Sequence, residues 1–273
     1  MTDVRLLVFD LDGTLLGPDH RIPDRVRSSI FSLRDAGIET TLATGRPFVS
    51  VARFIDELEL HVPVIVFNGA AVVEPDGSIL SLRPLPLDTA LAALDLLGET
   101  AAATHAYVSP TDSHLMTDVL GPAAKHILEK DGMPAECVED LSAFLAGRGA
   151  DPIKLFSIGA RDELERVQER FRSIAPEATC VFSEHDMLEL LGPGVNKGAA
   201  VVSLCDAVGV DIDSVMAFGD NLNDLEMLVE AGVGVAIASA PTEMLRRADA
   251  VACDVETFLR ERFADRLMME TVE

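Results

Sequence analysis

Short apolar runs alternate with helical patterns at both ends of the chain. The first run, residues 4–9, is largely apolar and is followed by Asp and Gly. Such a run is typical of a strand buried on both faces of a parallel sheet. The other runs of this kind are residues 40–43, 64–67, 215–218, 233–238 and 250–252. Helices are predicted over residues 24–36, 47–58, 197 onward and 222–230, with Asp24 capping the first of them. This alternation predicts a Rossmann-like, doubly wound α/β core with a parallel sheet.

The middle of the chain has a different pattern. Residues 70–82 read as two strands joined by a turn at Pro75-Asp76-Gly77, which predicts a hairpin. Beyond it come an Ala- and Leu-rich helix, broken polar segments, and further strands and a helix. We therefore predict an α+β cap domain, residues 83–187, inserted into a core formed by residues 1–82 and 188–273.

Charge and composition narrow the function. The 273 residues include 46 Asp and Glu against 22 Lys and Arg, a formal net charge of −24, and 48% hydrophobic residues. Such a chain should fold, and it should avoid nucleic acids and anionic membranes, which bind clustered basic residues. No run of 18 apolar residues and no secretory signal is present, which predicts a cytoplasmic protein. Four widely spaced cysteines are predicted to be small core thiols.

Two carboxylates follow the first predicted strand, in Asp10-Leu11-Asp12-Gly13-Thr14. Ligands of open α/β sheets bind beyond the carboxyl ends of the strands. Asp10 and Asp12 are therefore placed to share a cation or to divide the roles of nucleophile and acid. An acidic chain also contains such pairs by chance, as Asp211-Ile212-Asp213 illustrates, but a buried strand running into DLDGTL is more specific.

Three further polar segments lie at predicted strand ends or helix starts. Thr44-Gly45-Arg46 could hold an anion or be an ordinary turn. Lys197, the one Lys in the last 119 residues, could hold a phosphoryl oxygen or be a solvated surface residue. The segment 219–224, Gly-Asp-Asn-Leu-Asn-Asp, could complete a magnesium site through Asp220, or be an Asn- and Asp-rich turn. Together these groups are those that phosphoryl transfer through an aspartyl-phosphate needs.

The sequence resembles the haloacid dehalogenase superfamily, and specifically the Cof-type phosphatases of subclass IIB, which carry a large inserted cap. The resemblance spans essentially the whole chain, and its motifs stand in the family's order. The segments that carry it are DLDGTLL, ATGRP, NGA at 68–70, GVNKG at 194–198 and AFGDNLNDLEML. The chain departs from the family locally, with residues 237–240 reading Ile-Ala-Ser-Ala in place of M-G-N-A.

The resemblance implies a role for each matching residue. Asp10 would attack the phosphorus, and Asp12 would act first as acid and then as base. Mg²⁺ would be held by Asp10, the Asp12 carbonyl and Asp220, with Asp224 orienting Lys197 or a metal-bound water. The residues implied to bind phosphate oxygens are Thr44, Gly45 through its N–H, Lys197 and Asn223.

The predicted function is hydrolysis of small phosphorylated metabolites, such as sugar phosphates, by a Mg²⁺-dependent phosphatase. A phosphomutase or phosphotransferase on the same fold and a non-catalytic phosphometabolite-binding module are the alternatives. The cap should set specificity; its candidate contacts, each also readable as an ordinary surface or core residue, are His105, Tyr107, Asp112, His114 and the turn 183–186. The sequence does not indicate the substrate, the oligomeric state or the role of Arg46.

Overall fold

The computed structural model describes residues 3–111, 114–119, 121, 125, 132 and 134–267. These residues form two compact units. The first unit contains the described residues within the ranges 1–44, 53–80 and 196–273, and the second contains those within 45–52 and 81–195. In the part of the chain that the structure describes, no helix is both long and apolar enough to cross a membrane.

A five-stranded parallel sheet forms the centre of the first unit, with the spatial order β14-β13-β12-β1-β2. Its strands are β1 (Leu6–Phe9), β2 (Glu39–Leu42), β12 (Val215–Gly219), β13 (Val233–Ile237) and β14 (Ala250–Ala252). The strands β1 and β12 are fully buried, as expected for a parallel sheet with helices on its faces. The predicted α/β fold class is therefore confirmed.

Helices connect these strands at nearly the predicted positions. The helices of this region are α1 (Asp24–Asp35), α2 (Phe48–Leu58), α6 (Lys197–Val208), α7 (Leu225–Glu230), α8 (Thr242–Arg247), α9 (Val255–Arg262) and α10 (Ala264–Leu267). Two details differ from the prediction. Pro23, not Asp24, is the N-cap of α1, because Asp24 already lies in the first turn. The segment Leu222–Asp224 is a separate 3-10 turn ahead of α7, closed by a capping box between Asn221 and Asp224.

The predicted hairpin belongs to a small three-stranded sheet. It consists of β3 (Val64–Val66), β4 (Ala71–Val73) and β5 (Ile79–Leu82) in that order. The turn between β4 and β5 closes through the Glu74 N–H, which donates to the Ser78 carbonyl at 2.8 Å. Gly77 takes a φ of 88°, which is the backbone region that favours glycine.

The second unit is built on a six-stranded sheet with the order β10-β11-β9-β6-β7-β8. Its strands are β6 (Ala103–Tyr107), β7 (Leu115–Thr117), β8 (Ala135–Cys137), β9 (Lys154–Ile158), β10 (Ala178–Glu184) and β11 (Met187–Pro193). Its helices are α3 (Leu87–Leu97), α4 (Leu141–Arg148) and α5 (Arg161–Ile174). The division predicted after residue 187 falls inside β11, which pairs with β9 and β10, and the unit ends at Val195.

The two faces of this sheet differ in polarity. One face is an apolar cluster that includes Leu155, Leu188, Leu190 and residues of the three helices. The alternate positions on β9 and β11 carry a buried ion pair, in which the Lys154 Nζ donates to Glu189 Oε2 at 2.8 Å. Both partners are almost completely buried, so each charge is compensated by the other residue rather than by water.

The cysteines follow the prediction only in part. Cys180 and Cys205 are buried in the hydrophobic clusters of the second and first unit, respectively. Cys137 and Cys253 are exposed, so the prediction of core thiols is wrong for them. Cys137 ends the three-residue strand β8, which lies at an edge of its sheet.

Candidate active site

The register of the parallel sheet brings the segment 10–14 close to the segment 219–224. The strand β1 pairs with β12 on one side and with β2 on the other, and Phe9 lies opposite both Phe218 and Leu42. The Asp10 N–H continues this ladder by donating to the Phe218 carbonyl at 3.0 Å. Asp10 is thereby fixed at the carboxyl end of β1, beside the loop that carries Asp220.

Lys197 lies between two carboxylates. Its Nζ is 2.6 Å from Asp10 Oδ1 and 2.5 Å from Asp224 Oδ1, and its side chain is fully buried. The side chain of Asn196 caps the helix that begins at Lys197 by accepting the Ala199 N–H at 2.8 Å. The alternative interpretation of Lys197 as a solvated surface residue is therefore wrong.

Burial and charge act against each other on these groups. Burial raises the pKa of Asp10 well above its usual value, and the nearby Asp224 and Asp220 add to this, whereas Lys197 opposes it. For Lys197, burial by itself would lower the pKa, but the carboxylates of Asp10 and Asp224 outweigh burial and raise it. The lysine is therefore held as a cation, and it compensates for charge that burial disfavours.

Asp224 is fully engaged by hydrogen bonds. Its Oδ1 accepts from Lys197, and its Oδ2 accepts the N–H groups of Asp220 at 3.0 Å and of Asn221 at 3.1 Å. Gly219 permits this close packing, because a Cβ atom at that position would lie 2.4 Å from the Asp224 Cβ. Asp224 therefore holds both the lysine and the loop in place.

Three carboxylates could hold a metal ion. Oxygen atoms of Asp10, Asp220 and Asp224 all lie within 4.8 Å of one another. Because both Asp224 oxygens already accept hydrogen bonds, Asp10 and Asp220 are the better ligands. Thr14 orients the second of these, since its Oγ1 donates to Asp220 Oδ1 at 2.9 Å. An acidic, oxygen-only set suits a hard cation such as Mg²⁺.

The electrostatics of Asp220 agree with a cation site. Burial raises its pKa, and Asp224 raises it further, while the hydrogen bond from Thr14 opposes both. Two neighbouring carboxylates with raised pKa values repel each other in their charged forms. A divalent cation would relieve this repulsion and favour the ionised forms of both groups.

The remaining predicted site residues lie in several places. Asp12 is partly exposed within the turn Leu11–Leu15. Thr44 is buried two residues after the end of β2, and its N–H donates to the Ile65 carbonyl at 2.9 Å. Gly45, in the second unit, accepts a hydrogen bond from Lys154 Nζ through its carbonyl at 3.1 Å. Asn223 is partly buried, and its Nδ2 donates to Asn68 Oδ1 at 3.0 Å.

Two residues that touch this site were given no role by sequence reasoning. Thr14 and Asn68 both lie inside motif segments, yet neither was expected to contact a motif residue. The spacing of four residues between Asp10 and Thr14 is the signal that could have suggested a shared turn. For Asn68 the signal is the following Gly69, because Asn-Gly pairs favour positive φ and tight turns.

Of the candidate cap residues, Asp112 lies outside the described residues, and the others belong to the second unit. His114, His185 and Asp186 are exposed. Tyr107 is buried in β6, where its ring stacks with that of Phe156 at a centroid distance of 5.6 Å. Their contacts with a substrate stay a prediction.

His105 is completely buried in β6. Its Nδ1 lies 2.8 Å from Thr117 Oγ1, and no hydrogen-bond partner of Nε2 lies among the described residues. Burial lowers the pKa of His105 to about 4, with Asp118 opposing the shift. The ring is therefore neutral in the folded protein at physiological pH.

We expect His105 to make the protein less stable as the pH falls. Its folded-state pKa lies below the unfolded value of 6.5, so the unfolded chain binds the proton first. The contribution of the neutral His105 ring to the stability of the fold is complete above pH 6.5 and is lost as the pH approaches 4. At pH 5 the free energy of unfolding should therefore be about 2 kcal/mol lower than at pH 7.5 because of His105.

Urea unfolding of the wild type and of His105→Asn at both pH values measures this difference. Asparagine can keep the hydrogen bond to Thr117 but does not titrate, so the variant should lack this part of the pH dependence. The exposed residue His61 supplies the control His61→Asn, which should follow the wild type. Equal pH dependence in the wild type and His105→Asn would contradict the assignment.

Comparison with known proteins identifies the class to which this fold belongs. The model of the haloacid dehalogenase-like hydrolase family matches residues 7–257. The chain therefore belongs to this family.

One relative and two solved structures show how far the similarity extends. The chain is 33% identical over 241 residues to the HMP-PP phosphatase of Escherichia coli, covering 88% of this chain and 86% of the relative. A haloacid dehalogenase-like hydrolase from Bacteroides thetaiotaomicron superimposes with a TM-score of 0.83 at 24% identity, covering 95% and 100% of the two chains. A subclass IIB sugar phosphatase superimposes with a TM-score of 0.80 at 19% identity, covering 96% and 99%.

These similarities test the predicted family and activity, and separately the predicted fold. The predicted superfamily and the prediction of a phosphatase within it are confirmed by the family match and the relative. The two solved structures, both under 25% identical, confirm the fold. The predicted roles of individual site residues stay predictions.

Proposed function

We propose that the chain is a Mg²⁺-dependent phosphatase that hydrolyses small phosphorylated metabolites through an aspartyl-phosphate on Asp10. The observation that carries this proposal is the arrangement of the buried Asp10 and Lys197 with the half-buried Asp220, where Asp10 follows β1 and Asp220 follows β12. The phosphatase names of the Escherichia coli relative and of the subclass IIB structure support the same substrate class. The formal charge of −24 argues against a nucleic acid as ligand.

The proposed chemistry divides between two carboxylates. An oxygen of Asp10 attacks the phosphorus, and the bond from phosphorus to the leaving oxygen breaks. Asp12 gives that oxygen a proton, and then takes a proton from the water that hydrolyses the aspartyl-phosphate, which releases orthophosphate and restores Asp10. The partial exposure of Asp12 is compatible with exchange of protons with substrate and water.

Cationic and polar groups would bind the transferring phosphoryl group. Lys197 supplies a buried positive charge, which is strong in a site of low dielectric constant. Thr44, the Gly45 N–H and Asn223 are proposed to bind the other oxygens. Asp224 orients Lys197 through their hydrogen bond of 2.5 Å.

Asp10, Asp220 and the carbonyl of Asp12 would hold Mg²⁺. When bound, the ion would offset the negative charge that these carboxylates and the phosphoryl group share. The raised pKa values of Asp10 and Asp220 support this assignment, because burial disfavours the charged forms of both groups and a bound cation would favour them.

The second unit is proposed to act as the cap that selects the leaving group. A cap shapes the pocket around the part of the substrate that leaves and excludes bulk water during the first step. The separate sheet and apolar cluster of this unit support its role as an independent module. The predicted cytoplasmic location stays a prediction.

We expect purified protein to release orthophosphate and nitrophenolate from p-nitrophenyl phosphate in Mg²⁺, and to lose this activity after chelation. Mg²⁺ at 100 times its dissociation constant should also stabilise the fold by about 2.7 kcal/mol. That corresponds to a rise of roughly 5–10 °C in the unfolding temperature of a chain of this size. Turnover and thermal unfolding with and without Mg²⁺ measure both effects.

The variant Asp220→Asn separates metal binding from the fold. It keeps the size of the side chain and an acceptor for Thr14, but it removes one charged ligand. The variant should lose the Mg²⁺-dependent rise in unfolding temperature and the activity, whereas Asp206→Asn, an exposed change on α6, should keep both. Undiminished activity of the chelated wild type would contradict the proposal. Conversion of a sugar phosphate into its isomer without release of orthophosphate would contradict it as well.

A further inference from the structure

The turn Phe67–Gly69 has an unusual backbone. Three consecutive residues have positive φ values, which are 52° for Phe67, 55° for Asn68 and 97° for Gly69. Side chains with a Cβ disfavour this region, and a bulky residue such as Phe is rarely found there. Both Phe67 and Asn68 are buried, so the surrounding structure holds the turn in this conformation.

The turn Phe67–Gly69 contacts the loops that contain Thr44, Asn196 and Asn223. The Asn68 N–H donates to the Thr44 carbonyl at 2.9 Å, and the Asn68 Oδ1 accepts from Asn223 Nδ2 at 3.0 Å. Gly69 packs against the residue before Lys197, since a Cβ at Gly69 would lie 2.3 Å from the Asn196 carbonyl oxygen. The backbone of the turn is therefore placed by the same loops that form the site.

We propose that Asn68 is a positioning residue that sets the orientation of the Asn223 side-chain amide for binding a phosphoryl oxygen. The inference rests on the proposed function, because it assigns a task to a residue of that phosphate site. A side-chain amide can present either its NH₂ group or its oxygen after a rotation of 180°. An anion needs the NH₂ group. One N–H of the Asn223 NH₂ group is donated to Asn68 Oδ1, and this contact favours the rotamer whose second N–H would serve the phosphoryl group.

A purely conformational role for Asn68 makes a different prediction. Asparagine adopts positive φ more readily than most residues, so it could be present only to form the turn. Glycine adopts the same φ and keeps the N–H that donates to Thr44, but it has no side-chain oxygen. Asn68→Gly therefore removes the contact with Asn223 and leaves the backbone of the turn possible.

A double-mutant cycle with Asn68→Gly and Asn223→Ala tests the proposal. The probe is orthophosphate, whose dissociation constant is measured by calorimetry in Mg²⁺, together with kcat and KM for p-nitrophenyl phosphate. We expect Asn68→Gly to weaken orthophosphate binding about tenfold, which corresponds to about 1.4 kcal/mol. The double variant should bind no more weakly than Asn223→Ala alone, because both changes remove the same interaction.

Glu59→Gly is the matched control. Glu59 also has a positive φ, 49°, but it is exposed at the end of α2. This change should leave orthophosphate binding and KM unaltered, while unfolding temperatures report any general cost of placing glycine at such a position.

Three results would overturn the positioning role. They are unchanged orthophosphate binding in Asn68→Gly, independent and multiplying effects in the double variant, and no orthophosphate binding by the wild type. A wild type that binds orthophosphate with the expected coupling, yet does not turn over a phosphate ester, would instead overturn the proposed hydrolase function. The two failures are therefore distinguishable.

Discussion

Asp10→Asn should reduce phosphatase turnover by a factor on the order of 10⁴ or more, as removal of a nucleophile does in other enzymes. The amide is close in size to the carboxylate, but it cannot form the proposed phosphoryl-enzyme. Steady-state turnover of p-nitrophenyl phosphate in saturating Mg²⁺ measures the loss. Mass spectrometry of the acid-quenched wild type should in addition detect a phosphoryl adduct that the variant lacks.

The fold should survive this change. Burial and neighbouring carboxylates raise the pKa of Asp10, so its charge is unfavourable in the metal-free protein. A neutral amide should therefore leave the unfolding temperature in chelator unchanged or higher. Asp213→Asn is the control, because Asp213 belongs to the exposed pair Asp211-Ile212-Asp213 and should leave turnover unaltered. Hydrolysis by Asp10→Asn within tenfold of the wild type would remove Asp10 as the nucleophile.

Lys197→Met should cost about 3–5 kcal/mol of unfolding free energy at pH 8 in chelator, in addition to loss of activity. Methionine fills much of the same volume, but it leaves Asp10 and Asp224 buried without their cation. Without Lys197, the pKa of Asp10 should rise further. The folded variant then binds protons more readily than the unfolded chain, so its stability relative to the wild type should recover as the pH falls towards 5.

Denaturant unfolding of Lys197→Met at pH 8 and pH 5 measures this effect. The double variant Lys197→Met with Asp224→Asn should be more stable at pH 8 than Lys197→Met, because it removes one of the two uncompensated charges. A Lys197→Met protein as stable as the wild type at pH 8 would contradict the inferred charge balance.

The parallel core and its motif loops could be predicted because apolar runs and polar loop residues coincide there. A strand buried on both faces leaves a continuous apolar run, as β1 does, and the polar residues that follow it then mark the edge of the sheet. The pairing of β1 with β12 then explains why Asp10 and Asp220, which are 210 positions apart in sequence, are neighbours.

The second unit was predicted less completely for a physical reason. Its strands β7 and β8 are only three residues long, and β8 is mostly exposed, so neither leaves a clear alternation of apolar and polar residues. The helix α4 had signals that could have been used, because Asp140 caps its start and Gly149 ends it with a positive φ. Thr104 and His105 are buried polar residues within β6, so this strand does not show the apolar run that would predict it.

Contacts between side chains of different motifs could not be predicted. The pattern placed Asp224 and Lys197 at their loops, but only the structure shows that both Asp224 oxygens are engaged. The same holds for Asn68 and Asn223, whose hydrogen bond joins residues 155 positions apart. Such contacts depend on side-chain rotamers and loop geometry, which leave no period in a single sequence.

The packing at Gly219 limits how this loop can change during evolution. A Cβ there would collide with that of Asp224, so any other amino acid at 219 displaces the carboxylate that holds Lys197. Saturation mutagenesis would thus score position 219 as indispensable although it contributes no reactive atom. A change at position 219 would need a second, compensating substitution in the same loop. Single substitutions should therefore accumulate on the surrounding surface and not at this position.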